Sequence, residues 1–250
     1  MTIRHDGLLV DWLGYATTRL EAPDGTMVYL DPGRYGVLSG EWESPGGEDL
    51  SHPAPQNDYP KDGDVVCITH DHHYDTDAIT RVAKRDATLV VYEGVDAANI
   101  DRDVDAVEEL PYEVVRVDDE AQVSVAGVDV WTVPAFNEPD GPHAKPDGSV
   151  SHPRGLGCGF KLSIGGVSVF WPGDADALDA FAQLDVSLFL ANIGGTVVSD
   201  RHEAADLAEA MDPDLVLPVH YNTIEMLTAD SGEFAKDVAR RGIPVVLDER

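Results

Sequence analysis

Residues 69–75 read THDHHYD and follow the apolar run DVVCI at 64–68. An apolar run that ends in a knot of histidines and aspartates predicts a buried strand delivering ligands to a site at its end. His70 and His72 lie two apart, and in extended backbone such residues project to the same side. Two imidazoles so placed can share one ion at about 2.0–2.1 Å, and such sites need a third or fourth ligand. Further candidates also stand at the ends of apolar runs. Asp174 lies in FWPGDAD, after a Pro-Gly turn, and His220 closes LVLPVHY. His152 lies in the loop SHPRGLGCGF, whose glycines allow backbone to approach a site closely.

Taken singly, each residue has an ordinary reading. His220 reads as a semi-buried core histidine, Asp174 as a turn aspartate, and the histidine knot as a chance cluster. Their combination, each at a strand end or loop, points to a metal site.

Charge is the unusual compositional feature. The 250 residues carry 47 Asp and Glu against 17 Lys and Arg, a formal net charge of −30. The acids are dispersed rather than gathered in a tail, which argues for a solvated acidic surface, not disorder. Such a surface suits molar salt, where a Debye length of about 3 Å screens self-repulsion. It also disfavours nucleic acid and anionic membranes as partners, leaving a small-molecule substrate and a possible homo-oligomer. No apolar run approaches 18 residues and no leader-like N-terminus is present, so a cytoplasmic location is expected. Cys67, inside DVVCI, is expected to be a buried thiol with no disulfide.

Strand-like runs open the chain: LLVDWLG, TTRLEA and TMVYLDP, with hairpin chemistry at Pro23–Gly25 between the last two. A Gly/Pro/Ser-rich loop extends from Gly33 to about Asp62. Apolar spacing predicts a helix over 76–84, then a strand at TLVVY. More strands are expected within 113–136 and 159–171. Helices near 176–183, 202–211 and 232–241 then alternate with VSLFLAN, LVLPVHY and IPVVLD. Two packed sheets covered outside by helices, forming one domain over 1–250, would accommodate this order.

The series of motifs resembles the metallo-β-lactamase superfamily over nearly the whole chain. WLGYATTRLEAPDGTMVYLDP is similar to that family's first hairpin ending in an aspartate, here Asp31, and THDH to the start of its HxHxDH motif. HPRGLGCGF resembles the third-histidine segment of the ascorbate-6-phosphate lactonase-like branch. WPGDAD resembles the bridging-aspartate motif and PVHY the final-histidine motif, while VPAFN and IGGT are also similar to segments of that branch. The resemblance implies an αββα sandwich with a metal site at one edge of the sheets. His70, His72 and His152 would form a first position, Asp174 would bridge to a second, and His220 would belong to the second. Asp31 would orient a ligand or loop by hydrogen bonding.

Two departures stand out. Tyr74 and Asp75 occupy the positions of the motif's Asp and His, and Tyr15 stands where the branch commonly has His. Shifting the register by one residue aligns His73 and Asp75 instead. Under either register Asp75 is the expected second-position ligand, with Asp174 and His220, and His73 is expected to face solvent or support the ligands. A carboxylate-rich second position would hold Zn²⁺ less exclusively and admit Mn²⁺. The implied activity is metal-dependent hydrolysis of a small ester, lactone or phosphodiester by a metal-bound hydroxide, with one or two Zn²⁺ and with Asp174 and His220 as catalytic residues. The alternatives are a non-catalytic metal-binding protein and, least favoured, a nucleic-acid-processing hydrolase. Tyr221, Asn222 and Asn137 are candidate donors to substrate, whereas His202 and Glu203 fit a helix capped by Asp200.

Overall fold

The computed structural model describes residues 2–33, 38 and 60–249; most of the expected Gly33–Asp62 loop lies outside these. The chain opens with β1 (Ile3–His5), β2 (Leu8–Gly14), β3 (Thr17–Glu21) and β4 (Met27–Leu30), an antiparallel meander. In β2 the side chains of Leu8, Val10 and Trp12 alternate inward and are fully buried. The hairpin between β3 and β4 turns at Pro23–Gly25, where Asp24 accepts the Thr26 N–H and Gly25 takes φ 89°.

From β4 onward the pairing becomes parallel. β5 (Gly63–Ile68) lies between β4 and β6 (Ala83–Tyr92), and β7 (Glu113–Val117) completes a seven-stranded sheet in the order β1 to β7. Val65, Val66, Cys67 and Ile68 are all buried, as a central parallel strand requires. The helix α1 (Thr76–Val82) connects β5 to β6. It is shorter than the predicted 76–84, because β6 begins at Ala83, which pairs with Gly63 of β5.

The second sheet has six strands in the order β13-β12-β11-β10-β9-β8. They are β8 (Gln122–Val125), β9 (Val128–Ala135), β10 (Gly157–Ile164), β11 (Val167–Trp171), β12 (Leu188–Asn192) and β13 (Leu215–Val219). β8 to β11 pair antiparallel and β11 to β13 parallel. Pro218 is accommodated because β13 lies at the sheet's margin, with only an isolated bridge to Val245 beyond it. The helices α2 (Arg201–Met211) and α3 (Ser231–Arg240) follow β12 and β13. Asp200 caps α2 through the N–H groups of His202 and Glu203, and Glu203 reaches back to close a capping box, so this pair serves the helix as expected. One continuous cluster of buried apolar residues joins the two sheets.

The helix predicted over 176–183 does not form; a single 3₁₀ turn at Phe181–Gln183 replaces it. The apolar spacing is helical, but tertiary hydrogen bonds outcompete it. The Asp176 N–H donates to the Phe136 carbonyl, and its carboxylate accepts from Asn137, from the Glu138 N–H and from His143.

Candidate metal centre

The topology gathers the chemistry at one end of the sandwich. β4, β5, β11, β12 and β13 release Asp31, Thr69–His70, Asp174, Asn192 and His220 at their C-terminal ends, the place where parallel sheets characteristically build sites. β10 runs antiparallel to β11, so the loop before β10, carrying His152, reaches the same end. Gly157 starts β10 because a Cβ there would lie 2.7 Å from the His70 Cβ.

THDHHYD does not continue as a strand. His70 is extended (φ −166°, ψ 176°), and Asp71–His73 then form a 3₁₀ turn closed by the His73 N–H donating to the His70 carbonyl at 3.1 Å. Residues three apart eclipse in such a turn. His73 is thereby brought onto His70, ring centroids 4.3 Å apart, while His72 also stays within reach at 4.9 Å. Both expectations for the end of this stretch are corrected. His73 is fully buried and belongs to the constellation, not to solvent. Asp75 belongs to neither ligand group; its carboxylate accepts the Ala78 N–H at 3.1 Å and caps α1. The turn is the physical cause, since it aims His73 inward and leaves the extended Asp75 at the helix start. Tyr74 is buried elsewhere, its hydroxyl donating to the Asp105 carbonyl.

Two groups result, sharing one carboxylate. His70, His72, His152 and Asp174 offer ligand atoms within 4.8 Å of one another, as do His73, Asp174 and His220. Asp174 Oδ2 faces His152 Nε2 at 3.3 Å and His70 Nε2 at 3.6 Å. Its Oδ1 faces His73 Nε2 at 3.6 Å and His220 Nδ1 at 3.7 Å.

Hydrogen bonds behind the rings assign their protons. His73 Nδ1 donates to Asp31 Oδ2 at 2.9 Å, and His152 Nδ1 donates to the Val197 carbonyl at 3.1 Å. Thr69 Oγ1 donates to Asp31 and so accepts from His70 Nδ1 at 2.9 Å; Asn192 Oδ1 accepts from His220 Nδ1 at 3.3 Å. Each ring then turns an unprotonated Nε2 toward its neighbours. His73 and His220 face each other through Nε2 atoms 3.3 Å apart, and His152 Nε2 lies 3.2 Å from His72 Nδ1. Between His73 and His220 neither Nε2 carries a proton, and two lone pairs so placed repel unless a cation intervenes, whereas His72 Nδ1 can donate to His152 Nε2. Two buried atoms, His70 Nε2 and Asp174 Oδ1, have no hydrogen-bond partner, which costs about 1–3 kcal/mol or more for each. The residues therefore fit divalent metal in both groups.

The electrostatics agree. Burial pushes the His70 imidazole well below its ordinary range, reinforced by His73, His152 and His72 against the opposing pull of Asp174. Burial likewise depresses His220, to about 4. Burial alone would raise Asp174, but His220, His73, His152 and His70 hold it well below the usual carboxylate range. Neutral imidazoles around an ionised carboxylate are the protonation states that metal ligation requires.

Support comes from residues outside the ligand groups. Asp31 is fully buried and accepts from the Thr69 N–H, Thr69 Oγ1, His73 and Trp171 Nε1. The Tyr15 ring packs against His73 and His220 at centroid distances of 5.1 and 4.7 Å, and its carbonyl accepts the His220 N–H. The three candidate substrate donors have structural partners instead. Tyr221 donates to Glu249, Asn222 closes a loop through Ala229, and Asn137 holds Asp176 and the His152 backbone. Sequence reasoning left His73 outside the ligand set and missed Asn192. The i, i+3 spacing from His70 and the end of LFLAN carried the signals.

Comparison with known proteins agrees with this geometry. The β-lactamase superfamily domain matches residues 9–220. A UPF0173 metal-dependent hydrolase from Pyrococcus furiosus is 31% identical over 204 residues, covering 75% of this chain and 79% of the relative. Another from Methanopyrus kandleri is 28% identical over 243 residues, covering 94% of each. Among solved structures, a metallo hydrolase from Ignicoccus hospitalis superposes with TM-score 0.67 at 19% identity, covering 97% of this chain and 95% of that one. The two sheets, the shared carboxylate and these matches together show that the chain belongs to the metallo-β-lactamase superfamily, among its metal-dependent hydrolases.

Proposed function

We propose that this protein hydrolyses a small ester, lactone or phosphodiester with two metal ions, Zn²⁺ in preference to Mn²⁺. The observation that carries the reading is Asp174, whose two oxygens each face a separate set of imidazoles while Oδ1 and the nearby His70 Nε2 lack partners. His70, His72 and His152 would hold one ion, His73 and His220 the other, and Asp174 would bridge them. When bound, the ions supply Lewis acidity, bringing the pKa of coordinated water from 15.7 to about 7 and polarising the scissile carbonyl or phosphoryl group.

The chain's own residues set the conditions for that chemistry. Asp31, Thr69, Asn192 and the Val197 carbonyl hold the Nδ1 protons and so keep each Nε2 a ligand. Asp174, ionised and buried, presents one oxygen to each group of imidazoles and would be shared by the two ions. The second group carries His73 where sequence reasoning places Asp75, and a set of two imidazoles and one carboxylate favours Zn²⁺ over the harder Mn²⁺.

The motifs HPRGLGCGF, VPAFN and IGGT support an ascorbate-6-phosphate lactonase-like branch, and with it a lactone as the first substrate class to try. The net charge of −30 supports a halophile-type protein working in the cytoplasm, with small-molecule rather than nucleic-acid partners. The continuous core supports a single domain over 1–250, and no helix among the described residues is long and apolar enough to cross a membrane. The decisive experiment is a screen of lactones, esters and phosphodiesters at molar KCl, with metal-stripped protein reloaded with Zn²⁺ or Mn²⁺. Metal-dependent turnover that vanishes in Asp174→Asn is expected. Stoichiometric metal uptake without turnover of any class would favour the non-catalytic alternative.

A further inference from the structure

The segment that fails to become a helix leaves a cleft of about 630 Å³ on the outer face of the second sheet. Its floor is Trp131 and Val133 of β9 with Lys161 of β10, and Leu178 and Leu184 of the irregular segment form the opposite wall. Phe136 and Arg154 close one end. A volume in the range of roughly 300–1,000 Å³ with mainly apolar walls and few polar groups is typical of a small-molecule pocket.

The cations in this cleft are unusual for so acidic a chain. Lys161 pairs directly with Trp131 across the strands and places Nζ 5.7 Å from the indole centroid. Arg154 lies 4.9 Å above the Phe136 ring. Among the described residues neither forms an ion pair, although acids outnumber bases 47 to 17 in the chain. Both cations therefore remain available to an incoming anion while their stems and rings cover the apolar floor. Glu120, Glu138 and Asp179 also line the cleft but are solvent-exposed. They add a negative rim that disfavours multiply charged anions.

We propose that this cleft binds an amphipathic monocarboxylate, with its apolar body along Trp131, Val133 and Leu184 and its carboxylate at Arg154, the cation at the end that Phe136 closes. The site is distinct from the metal centre yet joined to it. Phe136 precedes Asn137, which holds the His152 backbone, and Arg154 follows His152 by two residues. Occupancy would thereby bear on the loop that carries a metal-facing histidine.

Calorimetric titration of the full chain in 1 M KCl, without metal, tests this with octanoate, octan-1-ol and octylamine as probes. One octanoate per chain is expected, roughly tenfold tighter than the alcohol as befits charge-assisted contacts, with no saturable binding of the amine. The double variant Lys161→Met/Arg154→Met should bring octanoate down to the alcohol's affinity, and Val133→Trp should fill the cleft and abolish both. Equal binding of acid and alcohol, absence of saturable octanoate binding, or octanoate binding unchanged in the double variant would each overturn the proposal. Because the readout involves neither metal nor turnover, its failure is separable from failure of the hydrolase reading.

Discussion

Asp31 and Asp174 are both buried carboxylates at strand ends, yet the surrounding structure treats them oppositely. Asp31 receives four hydrogen bonds, from the Thr69 N–H, Thr69 Oγ1, His73 and Trp171. Asp174 is surrounded by four histidines at 3.3–3.7 Å, and its Oδ1 has no hydrogen-bond partner. A buried carboxylate whose two oxygens both accept hydrogen bonds from the surrounding chain is scaffold, because its polar demand is already met. A buried charge left incomplete among neutral imidazoles is a place prepared for a cation.

The largest effect should come from breaking the incomplete member. Asp174→Asn keeps the shape but removes the charge shared by both groups. Activity should fall by well over the 10–100-fold typical of losing a ligand's supporting partner, and metal analysis should show fewer than two ions per chain. A variant retaining both ions and full activity would erase the contrast with Asp31.

Breaking the completed member should instead register as lost stability. Asp31→Ala strands the Trp171 and Thr69 donors in the core, and each buried donor left unsatisfied costs about 1–3 kcal/mol. Denaturant unfolding should show this loss in metal-free protein, where ligation plays no part. Equal stability of variant and parent would contradict a scaffolding role.

A sharper cut falls within THDHHYD. His73→Ala should lower stoichiometry from about two ions to about one at saturating metal, whereas Asp75→Ala should leave it at two and cost roughly 0.5–2 kcal/mol through the lost α1 cap. Elemental analysis paired with unfolding curves separates the two, and the reverse pattern would restore Asp75 as the ligand.

Acid provides a graded test on metal-free protein. The folded pKa of His220 is depressed to about 4 and that of His70 lies well below its ordinary value, while unfolded histidine titrates near 6.5. Between these values the unfolded chain binds more protons, so stability is fully present above about pH 6.5 and is lost as pH falls toward 4. The slope is up to about 1.4 kcal/mol per pH unit for each such histidine. Urea midpoints at pH 7.5 and 5.5 should differ accordingly, and a flat profile would mean that the rings are not held neutral by burial.

The smallest expected effect concerns the surface. The thermal midpoint should be higher in 2 M than in 0.1 M KCl, each kcal/mol gained appearing as about 2–4 °C, since screening relieves the repulsion of a −30 chain. An equal or lower midpoint at high salt would remove the support for a halophile-type surface.

Local pattern and local chemistry made much of this molecule legible in its sequence. Alternation in LLVDWLG, the unbroken apolar runs DVVCI and LFLAN, the Pro23–Gly25 turn and the Asp200 capping box each act over a few residues, and each is found where the sequence places it. His70, His72, His152, Asp174 and His220 could be proposed as a set because strand ends are marked by such runs, and the structure brings all five together. Tertiary structure decided what local pattern cannot carry. The 3₁₀ turn after His70 chose His73 over Asp75, because three residues of turn, rather than two of strand, set which side chain faces Asp174. The 176–183 segment has a helix's apolar spacing, but Asp176 is held by Asn137, Glu138 and His143, partners at least 33 residues away in sequence. Sequence alone thus determined which residues prefer strand, helix cap or metal; the packing of distant strand ends decided which carboxylate is completed by hydrogen bonds and which is left for a cation.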